Sequence, residues 1–91
     1  MPAAGLEVIE AQDWYESKRR GLGVSFRTEV DHQVNRIASN PHHFPEIHVD
    51  IRRALLRGFP YGLFFRPLDD TIYIIACFHS SRDPLVWQTR A

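Results

Sequence analysis

The chain has 91 residues, 44 % of them hydrophobic and 24 % charged, with a formal net charge of zero. That length accommodates one domain with a small core and excludes a multidomain enzyme, and the composition excludes a disordered or low-complexity chain. The single cysteine, Cys77, excludes an internal disulfide and suits a reducing cytoplasm, no apolar run is long enough to cross a bilayer, and Met1-Pro2-Ala3-Ala4 lacks the basic start of a secretory signal.

Leu6 to Arg20 reads as an amphipathic helix, with Ala4, Val8, Ala11 and Tyr15 on one stripe and Trp14 beside it. Pro2 suits a first helical turn, and Glu7 and Glu10 early with Lys18-Arg19-Arg20 late match the helix dipole. Gly21-Leu22-Gly23 punctuates. A second helix runs to about Ser39, with Phe26, Val30, Val34 and Ile37 as its apolar stripe and Arg27 placed to pair with Asp31. Asn40-Pro41 stops it. The short link implies an antiparallel helical hairpin over residues 3–39. Residues 40–50, rich in Pro and His, read as a loop.

From Ile51 the apolar period changes to two. Ile51 to Arg57 reads as a strand, Gly58-Phe59-Pro60 as a turn, Tyr61 to Arg66 as a second strand, Leu68-Asp69-Asp70-Thr71 as a hairpin turn, and Thr71 to His79 as a third strand. These links define a three-stranded antiparallel meander over residues 51–79. Both faces of Thr71–His79 are apolar, so this strand is expected at the centre, with the hairpin over one face. Residues 80–91 read as a tail, with Asp83-Pro84 as a turn and Trp87 as an anchor. The expected class is α+β.

Charge is uneven along the chain. Residues 1–50 carry five Lys/Arg against eight Asp/Glu, and residues 51–91 six Arg against three Asp. Ten of the eleven cations are Arg, whose planar fork suits phosphate or carboxylate. Arg52, Arg53, Arg57, Arg66 and Arg82 fall on the predicted sheet and its exit, which points to an anionic partner. A genome that favours Arg codons accounts for the same bias. His42, His43, Glu46, His48 and Asp50 lie close in sequence, but adjacent His side chains on a loop diverge, so a solvated loop is preferred to a metal site. No cofactor motif is present.

Four stretches carry a resemblance. They are Glu10-Ala11-Gln12-Asp13-Trp14-Tyr15-Glu16; Gly21-Leu22-Gly23 with Phe26 and Glu29-Val30; Asn40-Pro41 through Phe44-Pro45; and Ile51-Arg52-Arg53-Ala54-Leu55-Leu56-Arg57-Gly58-Phe59-Pro60-Tyr61, continuing to Phe78-His79-Ser80-Ser81-Arg82-Asp83-Pro84 and Trp87. In this register they resemble the RelE/ParE toxins of bacterial toxin–antitoxin pairs. Members of that family usually begin with an edge strand, and here Pro2-Ala3-Ala4 already reads as helix. The unpaired edge is expected to take a partner strand or a second copy.

The resemblance implies a cytoplasmic, growth-arresting toxin held by an acidic antitoxin that wraps the sheet and the Arg-rich groove. Two targets are implied, and they stay open at this point. RNA-cleaving members act on messenger RNA in the ribosome, where the 2′-hydroxyl attacks its own phosphodiester; His79 is then the acid–base candidate and Arg66 and Arg82 the phosphate stabilisers. Arg52, Arg53 and Arg57 would contact phosphate or antitoxin, and Tyr61 and Trp87 would stack on a base or anchor the tail. ParE-like members poison DNA gyrase by contact, and the Phe78-to-Pro84 stretch with Trp87 looks more like that branch. An inactive relative is the third reading. The plainer roles are a strand-end hydrogen bond for His79, a salt-bridged turn for Arg82 and a lid on the sheet for Trp87.

Overall fold

The computed structural model describes residues 2–80. Helix α1 (Pro2–Lys18) and helix α2 (Leu22–Ser39) precede a 3-10 turn (Pro41–His43) and four strands, β1 (Glu46–His48), β2 (Ile51–Leu55), β3 (Tyr61–Leu68) and β4 (Thr71–His79). The strands form one antiparallel sheet in the order β1-β2-β3-β4. The class is therefore α+β, with two packed helices followed by a four-stranded meander.

Glu16 explains how the helices join. Its carboxylate accepts from the N–H of Gly21 at 3.1 and 3.2 Å and of Gly23 at 2.9 Å, so a side chain of α1 satisfies orphan donors at the start of α2. Gly21 takes φ +89°, a left-handed conformation that favours glycine. Gly23 is needed for a different reason: a Cβ there would sit 2.7 Å from the Gln12 carbonyl oxygen. The Gly21-Leu22-Gly23 signal is thus a turn residue followed by a helix-contact residue.

The buried side of α2 is Gly23, Phe26, Val30, Gln33 and Ile37. Val34 lies off this line and is 36 % exposed, so it does not belong to the core stripe where the periodicity put it, and Trp14, beside the stripe of α1, is 54 % exposed. The fully buried Gln33 is a polar residue in an apolar row. Its amide donates to Glu29 Oε2 at 2.8 Å and its carbonyl accepts from Arg36 at 3.0 Å. Glu29 Oε2 also accepts the backbone N–H of Arg57 at 2.7 Å, tying α2 to the β2–β3 turn. Arg27 pairs with Asp31 at 3.2 Å, as their spacing predicts.

The main core lies between helices and sheet. Val8, Ala11, Phe26, Val30 and Ile37 meet Phe44, Ala54, Leu63, Phe65 and Cys77. Tyr15, Phe26, Phe59 and Tyr61 form an aromatic cluster with ring centroids 4.9 to 6.1 Å apart. A buried phenylalanine contributes about 1.5–3 kcal/mol of transfer free energy. Burial, and then the nearby Tyr61, push the Tyr15 hydroxyl above its ordinary pKa.

Two expectations need correction. Residues 40–50 are not all loop: Pro41–His43 makes one 3-10 turn and Glu46–His48 pairs with β2, so the sheet has four strands rather than three. A three-residue strand between Pro45 and a tight turn, with Asp50 at φ +61°, leaves too little alternation to read. The second correction is that among the described residues Thr71–His79 is an edge strand, and Tyr61–Leu68 takes a central place. β4 is apolar on both faces because the sheet has two cores. Cys77 joins the helix-side cluster, while Ile75, Ala76 and Phe78 join a second one with Ile51 and Phe64 on the far face. The β-bulge at Ile75, where Phe64 pairs with Ala76 and Phe65 with Ile74, turns two successive residues toward that far face. The tail features placed at Asp83, Pro84 and Trp87 lie outside the described residues.

Candidate functional site

Strand register assigns each candidate to a face. Arg52 pairs with Phe65, Arg53 with Phe64, Ala54 with Leu63 and Leu55 with Gly62. Phe65 and Leu63 belong to the helix-side core and Phe64 to the far-side cluster, so Arg52 points toward the helices and Arg53 away from them. On the same grounds Arg66, two residues beyond Phe64 on β3, lies on the far face, opposite Tyr73 of β4. His79 is two residues beyond Cys77 and opposite Tyr61, on the helix side.

Arg52 is a framework residue. Its guanidinium donates to the Phe44 carbonyl at 2.6 Å and lies 3.6 Å from Glu46, fastening the β1 edge to the loop before it. Arg57 is exposed beyond β2, where its backbone N–H is held by Glu29. This leaves Arg53 and Arg66 as the cations that β2 and β3 present on the far face. Their Cβ positions are diagonal across two strands, about 7–8 Å apart. The Arg53 stem leans away from Arg66, over Gly62, where a Cβ would lie 3.3 Å from its Cγ. Gly62 therefore makes the bed for Arg53. The Nε of Arg53 is buried and makes no hydrogen bond. The two arginines flank Phe64, and the surroundings include exposed Leu55 and Tyr73.

His79 lies elsewhere. Its ring meets Tyr61 edge-on at 5.2 Å. With Glu7, Glu10, Trp14, Tyr61 and Cys77 it lines a cleft of about 300 Å³ between α1 and the end of the sheet. Glu7 Oε1 accepts the backbone N–H of Cys77 at 3.0 Å. Burial, and then the Glu7 carboxylate, push the Cys77 thiol up to about 12, so it stays protonated and is no nucleophile at neutral pH.

His79 and Arg66 are therefore on opposite faces. They also face β3 positions five residues apart, about 17 Å along the strand. The structure brings His79 together with Tyr61 and two carboxylates, and Arg66 together with Arg53, but does not join the two groups. Arg82 and Trp87, the remaining expected members of the site, lie outside the described residues. Glu7 and Glu10 were read only as dipole partners; nothing in the α1 pattern signals that their side faces β4. Among the described residues no group of three or more His, Cys, Asp or Glu side chains is placed to hold a metal ion, and His42, His43 and His48 do not converge. No described helix is long and apolar enough to cross a membrane. The chain matches no family model, and no curated protein and no solved structure matches it.

Proposed function

We propose that this protein is the toxin of a toxin–antitoxin pair, of RelE/ParE type, and that it arrests growth by binding a DNA topoisomerase of the gyrase kind rather than by cleaving RNA. The sequence stretches named above support the family reading, as does a helical hairpin on an antiparallel meander. The observation that carries the choice of target is the separation of His79 from Arg53 and Arg66. Cleavage by 2′-hydroxyl attack needs an acid–base group and a phosphate-stabilising cation around one phosphodiester, within hydrogen-bond reach of its atoms. On the described sheet the acid–base candidate lies on the helix side, and Arg53 and Arg66 lie on the opposite face. A face that sets Arg53 and Arg66 beside exposed Leu55 and Tyr73 suits a protein contact, where arginine and aromatic anchors carry most of the affinity.

On this reading an acidic, amphipathic antitoxin segment covers the same Arg-bearing face in the cytoplasm and so blocks the target contact. The test is expression of the chain alone from a tight promoter, with growth, chromosome integrity and transcript integrity followed together. Arrest with DNA breaks and intact transcripts is expected. Arrest with rapid transcript cleavage overturns the choice of target in favour of the nuclease, and normal growth with soluble, folded protein overturns the toxin reading in favour of an inactive relative.

A further inference from the structure

The two edges of the sheet are built differently. The β1 edge is three residues long, follows Pro45, pairs irregularly with β2 and carries the Arg52–Glu46 ion pair. These are the usual devices that keep a sheet edge from pairing with another chain. The β4 edge has few of them. It is nine residues long, contains no Lys, Arg, Asp, Glu or Pro, and is rich in β-branched and aromatic residues. Among the described residues no strand pairs with its outer side.

The register shows which backbone groups point to the outer side. Cys77 donates outward, to Glu7, and Ser80 donates inward, to the Pro60 carbonyl at 2.7 Å. Alternation from these two points, passed through the bulge at Ile75, turns the N–H groups of Ile72 and Ile74 outward. Glu7 closes the edge at Cys77, so the open stretch is residues 71–75. Within it Thr71 is exposed, Tyr73 is 45 % exposed, and Ile72 and Ile74 are half-buried.

We infer that this stretch pairs antiparallel with the same stretch of a second copy about a two-fold axis at Tyr73. The open donors fit that arrangement: Ile72 of one copy faces Ile74 of the other, and each such pair exchanges two backbone hydrogen bonds. Tyr73 meets its own counterpart in the intervening pair, where side chains approach most closely, giving an aromatic pair across the axis. Self-pairing sets identical residues near one another, so it requires an uncharged stretch, and residues 71–75 are uncharged. The zero net charge adds no long-range repulsion between copies. The inference is independent of the proposed toxin activity.

The test is cysteine cross-linking on the full chain. Tyr73→Cys places two thiols across the axis, while wild-type protein, whose Cys77 is buried, and Leu55→Cys, exposed on the same face but two strands away, are the controls. The expected result is that oxidised Tyr73→Cys runs as a disulfide-linked dimer at twice 10.6 kDa, that neither control does, and that wild-type mass by sedimentation falls from dimer toward monomer on dilution. Tyr73→Lys, which sets two ammonium groups face to face, is expected to be monomeric with unchanged circular dichroism. A wild-type protein monomeric at all concentrations, a dimer that Tyr73→Cys does not cross-link, or equal cross-linking of Leu55→Cys overturns the inference.

Discussion

Replacing Glu16 with alanine removes the acceptor for two backbone donors at the start of α2, and the cost follows from where those donors lie. The Gly21 N–H, bonded at 3.1 and 3.2 Å, is exposed, so water replaces the carboxylate at little cost. The Gly23 N–H, bonded at 2.9 Å, is partly buried against α1 and has no room for a replacement. Leaving a buried donor unsatisfied costs about 1–3 kcal/mol, and losing a carboxylate from a helix N-terminus about 0.3–1 kcal/mol more. The expected loss is about 2 kcal/mol, a drop in Tm of roughly 8–16 °C for a domain of this size. Glu16→Gln keeps an acceptor without the charge and should lose about half as much. Urea denaturation followed by circular dichroism, with the slope m unchanged, measures both. A Glu16→Ala protein within about 0.5 kcal/mol of wild type would refute the capping argument.

Gly23→Ala should be worse than Glu16→Ala by the same assay, because its Cβ meets the Gln12 backbone oxygen at 2.7 Å and the helices must part. Glu29→Ala takes the acceptor from the part-buried Gln33 amide, while water replaces it at the exposed Arg57 N–H, and should cost about 1–3 kcal/mol by chemical denaturation, with Glu29→Gln milder. Cys77 gives a pH prediction. Its thiol is held near 12 in the folded protein against 9.0 unfolded, so above about pH 9 only the unfolded chain releases the proton, and stability falls with rising pH by about 1.4 kcal/mol per unit. Below pH 9 this contribution is fully present; Cys77→Ala should flatten the alkaline limb of the stability curve between pH 9 and 11. His79→Ala should leave growth arrest within a few-fold of wild type, whereas Arg53→Glu should abolish it while circular dichroism shows the protein still folded; the opposite pattern in a growth assay would count for the nuclease.

What the sequence showed and what it hid have separate physical causes. The helices and the three longer strands announce themselves because apolar residues recur at 3.6 or at 2, and Thr71–His79 has the boundaries its pattern predicts. Gly21-Leu22-Gly23 marked a turn, but that Glu16 reaches across it is a tertiary fact no local pattern carries. β1 was hidden because three residues hold no period. The rank of β4 was misjudged because apolarity on two faces reports two cores, not two neighbouring strands. At the candidate site, residue type put arginines on the sheet, and Arg52, Arg53 and Arg66 lie on its strands. The parity of each position then decided its fate. Arg52 and Arg53 are adjacent, so one became framework and the other lies on the far face. His79 and Arg66 looked like parts of one centre only while the face of each was unassigned.

The most direct test of the central claim is a supercoiling assay with purified gyrase and the purified chain, run beside a ribosome-programmed messenger RNA in a parallel tube. The account predicts inhibition of supercoiling with accumulation of cleaved DNA complexes, lost in Arg53→Glu and kept in His79→Ala, while the messenger RNA stays intact. Unaffected gyrase together with cleaved messenger RNA would contradict it.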